Sequence, residues 1–380
     1  MLDVIVPIYN QRELALGCLA SVLEARSALP YELVVVDDCS PDETLRADLA
    51  RMAQEGRITL LRNEANLGFT KSVNRGMRLH PGRDVLLLNS DTVVHGDWLD
   101  RLHRAAYSGP RVATANPLTN ASHIGSYPYT RVDGEVRFEI SDARLDALAA
   151  TVNRGRHVRV QNTVGFCLYI RRQCLDDIGY FDDHHFPRGY GEETDFCYRA
   201  VKAGWQHVVT GDVFVRHWEG QSFGAKKIKL MANMMAVFTS LHPDLARHDQ
   251  RFAVMDPIRP LRFALDLARV GLLLGARNEL DCLPRTQAAT AAAGVPVAVF
   301  DAAAGTLGLQ VPGNATLPNL PAYALPREIA ACNSMLAKLG VTRLICANPS
   351  DVEALSALTM GLPGELGLGA TLATAQGNNL

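Results

Sequence analysis

Two rhythms of apolar residues alternate over residues 1–115. Leu2–Ile8 is a short, β-branched run of the kind expected in a strand buried on both faces. Ala15, Cys18, Leu19 and Val22 follow at i, i+3, i+4 and i+7, the spacing of one helix face. Glu32–Val36, Ile58–Arg62 and Asp84–Leu88 predict three further strands, with helical segments between them. Strands alternating with helices make βαβ units, so the expected fold is α/β: a doubly wound, mostly parallel sheet with helices on both faces. Ligands in such sheets bind beyond the carboxyl ends of the strands. That rule singles out Tyr9-Asn10, Asp37-Asp38 and Asn89-Ser90-Asp91.

The rhythm loosens at Asn116–Tyr129, where Asn, Ser, Tyr, Pro and Gly predict a long irregular loop, a frequent carrier of function. Order returns with a strand at Thr163–Ile170, a helix from Glu193 to Lys202 stopped by Gly204, and a last strand at His207–His217. The apolar stretch Leu261–Ala276 is interrupted by Arg262, Asp266 and Arg269 and is too short to span a bilayer. A helix packed on its own domain is the expectation, rather than one lying on a membrane surface. Beyond residue 280 charged side chains thin out and alanine rises, yet Val295–Phe300, Arg327–Leu339 and Val341–Cys346 keep an αβ rhythm. The expected organisation is a domain over 1–225, with a nucleotide-binding half at 1–115 and an acceptor-binding half at 116–225. A helical linker at 226–280 and a small Ala-rich α/β unit at 281–380, complete or cut short, follow. The Gly- and Ala-rich tail from Gly361 predicts disorder.

A length of 380 residues suits two domains. The 38 Lys and Arg nearly cancel the 40 Asp and Glu, which argues against a protein built around a nucleic-acid backbone. Eight cysteines without a CxxC pair fit neither a zinc ribbon nor a disulfide scaffold, and reduced thiols point to the cytoplasm. Met1–Pro7 has no basic region and no small-residue cleavage site, so no signal peptide is expected. The expected location is the cytoplasm, the inner face of the plasma membrane included, with at most peripheral membrane association. A homo-oligomer is compatible with all of this.

The chemistry gathers at the strand ends. Asp37 and Asp38 can accept hydrogen bonds from a base or ribose, or serve a turn and helix cap. Asp91, beside Asn89 and Ser90, can hold a hard divalent cation shared with substrate phosphates, or act as a cap. Glu192, Glu193 and Asp195 open a helix, which negative charge stabilises; crowded carboxylates also raise at least one pKa, which suits a general base. Gly189 and Gly191 before them let the backbone approach a ligand closely. His217 can ligate a metal as neutral imidazole or be structural. Within Asn66-Leu67-Gly68-Phe69, Lys71, Asn74 and Gly76, Lys71 can pair with a phosphate, or the segment is simply a helix start.

Five motifs occur in order and spacing: Leu2–Asn10, Glu32–Asp42, Asn66–Gly76, Leu87–Thr92 and Gly191–Arg199. Residues 2–225 thereby resemble the family 2 inverting glycosyltransferases of GT-A fold, nearest the bacterial branch that builds rhamnose-containing and other surface polysaccharides. The resemblance implies that Pro7, Tyr9 and Asp38 line the nucleobase and ribose pocket, with Asn10, Asp37, Asn66, Gly68, Lys71, Asn89 and Ser90 around the nucleotide sugar. Asp91 matches the last acid of the family's Asp-x-Asp metal motif, whose first position is Asn89 here. His217, followed by Ser222-Phe223, matches a late histidine that helps hold the metal. Glu192-Glu193 stand for the family's Glu-Asp pair, with Glu193 at the usual base position.

The implied reaction is a single displacement with inversion. A sugar leaves a UDP- or dTDP-linked donor for a hydroxyl of a glycan or lipid-linked acceptor, with Mg²⁺ or Mn²⁺ on Asp91 and His217 neutralising the pyrophosphate. Among rivals, a sugar-phosphate nucleotidyltransferase would want a Gly-rich basic loop where Tyr9-Asn10-Gln11-Arg12-Glu13 stands. A dinucleotide oxidoreductase would need a GxGxxG that is missing. A non-catalytic nucleotide- or glycan-binding module on the same fold is the alternative from another class.

Overall fold

The computed structural model describes residues 1–130, 136–189, 191–218, 237–238, 240–243, 255–288, 291–346, 349–359 and 371–374. Contacts divide the chain into two compact units, Met1–Leu261 and Arg262–Leu380.

The first unit is built on a nine-stranded sheet. Strands β1 (Leu2–Ile8), β2 (Tyr31–Asp37), β3 (Thr59–Arg62) and β4 (Asp84–Leu88) lie in the order β3-β2-β1-β4 and all run parallel. Helices α1 (Arg12–Glu24), α2 (Glu43–Gln54) and α3 (Phe69–Met77) make the crossovers. The alternation within β1 explains the layering: Leu2, Val4, Val6 and Ile8 point into a core with Cys18 and Leu19 of α1 and Leu45 and Leu49 of α2. Ile5 points the other way, into a second core with Val73 and Met77 of α3. Helices therefore cover both faces.

The sheet continues through β8 (Cys167–Ile170), antiparallel to β4, then β6 (Val112–Thr119) and β9 (Gln206–His217), which are parallel to one another. The short β5 (Thr92–Val93) pairs with the end of β9, placing Thr92 opposite His217, and β7 (His157–Val160) pairs elsewhere along β9. Helices α4 (Trp98–Ala106), α5 (Asp142–Val152), α6 (Arg172–Ile178) and α7 (Glu192–Lys202) complete the unit. Two expectations change here. Asn116 to Thr119 belong to a fully buried strand, because the loop-forming side chain of Asn116 finds partners on the neighbouring backbone. Thr163 to Phe166 form a loop before β8 rather than its first turns.

The second unit holds a six-stranded sheet in the order β13-β12-β11-β10-β14-β15. Its strands are β10 (Glu279–Pro284), β11 (Val297–Asp301), β12 (Thr306–Gln310), β13 (Ala322–Ala324), β14 (Arg343–Cys346) and β15 (Thr371–Thr374). The tail expected to be disordered supplies β15, paired in parallel register with Arg343–Cys346, so backbone pairing outweighs the small-residue composition. The rest of the tail beyond Gly361 lies outside the described residues.

The division between the units falls after Leu261; of the expected linker, residues 226–236, 239 and 244–254 lie outside the described residues, as do Ser222 and Phe223. The helix Arg259–Leu274 buries the charges that interrupt its apolar run. Arg262, Asp266 and Arg269, at i, i+4 and i+7, face inward. Arg269 donates to the Thr316 carbonyl at 2.7 Å and to its hydroxyl at 2.5 Å, while Asp266 accepts from the Asn319 amide at 2.8 Å. Buried charge is tolerated where it is paired in this way. Among the described residues, no helix is long and apolar enough to cross a membrane.

Candidate active site

Asp91 and His217 meet where β4 ends and β5 pairs with β9. The Asp91 carboxylate oxygen Oδ1 lies 3.4 Å from His217 Nε2. His217 Nδ1 lies 3.1 Å from the Ala121 carbonyl, which can only accept, so this nitrogen carries the proton. The Asn120 side chain grips the His217 backbone from both sides at 2.8 and 2.9 Å, and the Trp218 amide donates to the Asp91 carbonyl at 2.9 Å. The ring also stacks on Phe166, with centroids 5.0 Å apart. Beside them the carbonyl oxygen of the Asn89 side chain is buried without a hydrogen-bond partner among the described residues. A carboxylate oxygen close to an imidazole nitrogen, with an orphaned acyl oxygen on the same strand end, fits a hard cation, and a histidine whose other nitrogen donates to a backbone carbonyl is the usual form of a metal ligand.

The second cluster opens α7. Glu192 is buried and Glu193 half-buried. Burial first, then the charge of Glu193, hold the Glu192 carboxyl well above the ordinary carboxylate range. Its Oε2 has no partner among the described residues. Glu193 accepts from the Gly191 amide at 3.3 Å. Asp195 spends both oxygens within the protein: Arg199 Nε donates to one at 2.7 Å and His242 Nε2 lies 2.8 Å from the other. It therefore anchors the helix rather than joining Glu192 and Glu193.

One loop joins the two clusters. Asn162 donates to the Thr194 hydroxyl at 3.1 Å, Gly165 lies against Glu193, and Phe166 carries the His217 ring while its carbonyl accepts from the Asn89 amide at 2.8 Å. Asn116 on β6 holds this loop by donating to the carbonyls of Val164 and Cys167 and accepting from the Val164 amide.

The residues expected around the nucleotide separate into two groups. Asp37 and Asp38 are buried and occupied: Asp37 accepts from the Ser40 amide at 2.8 Å and faces Arg62 at 3.5 Å. Asp38 accepts from Asn63 and from the amides of Leu67 and Gly68 at 2.8, 2.8 and 2.9 Å. These two carboxylates shape the loops; the helix cap is Asp42, which accepts from Thr44 and Leu45. Tyr9, Asn66 and Lys71 are exposed, and Pro7, Asn10, Gly68 and Ser90 half-buried, at the carboxyl ends of the parallel strands and the start of α3. Gly68 has φ of +87°, and a Cβ there would meet the Pro187 carbonyl at 2.5 Å, so only glycine lets the two loops touch.

The sequence reading missed several supports. Thr70 and Asn74, at i and i+4 on α3, are buried and hold the chain before α7: Thr70 donates to the Phe186 carbonyl, and Asn74 to that of Phe181 at 2.8 Å. Their signal was a polar pair on an otherwise apolar helix face. Asn120, Phe166 and His242 left no periodic signal. Among the described residues, the acid–histidine group compact enough for a metal is Asp3, Glu32 and His80, at the opposite ends of β1 and β2. Arg83 already supplies positive charge there, donating to Asp3 and Glu32 at 2.9 and 2.6 Å.

Residues 3–179 match the family model Glycosyl transferase family 2. The N-acetylglucosaminyl-diphospho-decaprenol L-rhamnosyltransferase of Mycobacterium tuberculosis is 27% identical over 216 residues, covering 51% of this chain and 69% of the relative. A dolichol-phosphate mannosyltransferase of Pyrococcus furiosus is 26% identical over 129 residues, covering 34% of this chain and 36% of the relative, so the chain spans about a third of that relative's length. Among solved structures, the mannosyltransferase PcManGT from Pyrobaculum calidifontis, in complex with GDP-Man and Mn²⁺, aligns at 18% identity and a TM-score of 0.43 over 71% of this chain and 70% of its own. The matched segment runs from β1 to the end of α6 and carries four of the five sequence motifs; the fifth lies on α7. Residues 3–179, just under half of the chain and all within its first unit, are therefore similar to glycosyl transferase family 2.

Proposed function

We propose that the first unit transfers a sugar from a nucleoside diphosphate to a hydroxyl acceptor, with inversion and with a divalent cation, Mg²⁺ or Mn²⁺. The observation that carries this reading is the approach of Asp91 Oδ1 to His217 Nε2 at 3.4 Å, joined through residues 162–166 to the start of α7, where Glu192 and Glu193 stand. Asp91 and His217 would hold the cation, with the Asn89 acyl oxygen beside them, and the cation supplies Lewis-acid stabilisation of the departing diphosphate. Tyr9 and Pro7 offer an apolar surface for the base. Glu193, the more accessible of the two acids, takes the proton from the acceptor hydroxyl as that oxygen attacks the anomeric carbon. Glu192, held neutral by its burial, donates towards Glu193 and keeps that carboxylate oriented. A single displacement on the face opposite the leaving diphosphate inverts the anomeric centre. Both relatives above are named for polyprenyl carriers, which favours a lipid-linked acceptor; UDP or dTDP is the expected nucleotide.

The test is calorimetric titration with UDP, dTDP and GDP, with and without Mn²⁺, beside turnover of the matching donors. Asp91→Ala should abolish metal-dependent binding and transfer together. Glu193→Gln should cost turnover at least about 100-fold, the contribution of a positioned base, while leaving binding nearly intact. Parent-like turnover in both variants would remove this assignment. A chain that binds nucleotide but transfers nothing would be the non-catalytic module.

A further inference from the structure

His242 is a buried histidine held between opposite charges. Its Nε2 lies 2.8 Å from Asp195 Oδ1 and its Nδ1 lies 3.3 Å from Lys202 Nζ. An ammonium only donates, so Nδ1 accepts; the ring proton is then on Nε2 and is donated to Asp195. Arg199 closes the other side of Asp195 and donates onward to the carbonyls of Ile178 and Tyr180 at 2.7 and 2.8 Å. The same ring packs near Tyr198 and Phe238, and Phe238 lies 5.2 Å from Phe186 in the chain before α7. Asp195 sits two and three residues after the acids that open the helix.

We propose that His242 is a positioning residue: by bridging Lys202 and Asp195 it fixes the first turn of α7, and with it the direction in which Glu193 presents its carboxylate. This rests on the transferase reading above. Arg199 holds one Asp195 oxygen and ties it to the carbonyls of Ile178 and Tyr180, and Asn162 reaches Thr194 from the loop. His242 holds the other Asp195 oxygen from a third direction and restricts the rotation of the turn that these contacts leave.

The test compares His242→Leu, which keeps the packing and loses both polar contacts, with His242→Gln, whose amide N–H can still reach Asp195. In the full chain, His242→Leu should lower turnover of the active nucleotide-sugar donor by about 10–100-fold, the cost of a misplaced reacting group. The Kd for the nucleotide with Mn²⁺ should stay within about two-fold, since the interaction lost is one that matters to the reaction and not to donor binding. His242→Gln should recover most of the rate, and amides 192–196 should exchange faster in His242→Leu than in the parent or His242→Gln. Turnover unchanged in His242→Leu, equal loss in both variants, or binding lost along with turnover would overturn the proposal. If the parent neither binds nor transfers, the transferase reading fails instead; exchange at 192–196 that is then unchanged by His242→Leu would overturn the positioning role as well.

Discussion

At the residue scale, the acids of the site differ by what surrounds them. Asp37, Asp38 and Asp195 have amide, guanidinium or imidazole partners on their oxygens and serve as struts. For Glu192, burial and the like charge of Glu193 outweigh the backbone amides that reach it. Its folded-state pKa is raised, so it is protonated in both states below its ordinary value of 4.5 and costs nothing there. As pH rises past that value the unfolded chain ionises first, and the fold loses stability until the folded pKa is passed. Glu192→Gln, a neutral copy of the protonated acid, should therefore raise Tm at pH 7–8. The gain should shrink towards pH 4. A pH-independent Tm difference, seen by thermal melts across that range, would mean the carboxyl is not held neutral.

At the scale of elements, α3 does two jobs from two faces. Val73 and Met77 pack the core while Thr70 and Asn74 hold the chain that leads into α7. Asn74→Ala would leave both the amide and the carbonyl of Phe181 without their partner, at about 1–3 kcal/mol. Chemical denaturation should register that loss, and donor turnover should fall more than nucleotide binding because the loop before the acids loosens. Periodicity made β1 and β4 legible to the residue and the buried face of α1 legible as Ala15, Cys18, Leu19 and Val22, while the acids and the glycine before them marked the start of α7 to within a residue. It failed at β6, where Asn116 resembles a loop residue until the carbonyls it satisfies are known, and at residues 162–166, whose role comes from contacts distant in sequence. The positions of Asp91, Glu193 and His217 were legible because strand ends and helix starts can be read locally. The turn at Asp37 was open in the sequence, but the engagement of Asp38 was not legible, because its partners lie at Asn63, Leu67 and Gly68.

At the scale of the whole molecule, each unit has its own sheet and its own core. Arg269 is buried, bonded to Thr316 and 3.9 Å from the buried Asp266, all within residues 262–380. Arg269→Ala should destabilise that unit by about 3–5 kcal/mol, the cost of stranding buried polar partners. Calorimetric melts should show a lowered transition for residues 262–380, with metal-dependent nucleotide binding unchanged; a single transition that moves as a whole would contradict separate cores. Within the first unit, the strands that deliver Asp91 and His217 and the helix that delivers Glu193 are parts that thermal motion can shift against one another. The loop at 162–166 acts as a ruler between them. Residues 162–166 run without a break from a hydrogen bond at Thr194 to the ring stacked on His217, so in the proposed reaction they would set the gap between the departing and attacking groups. Inserting one residue there would stretch the gap without touching any reacting group, and so separate donor binding from transfer.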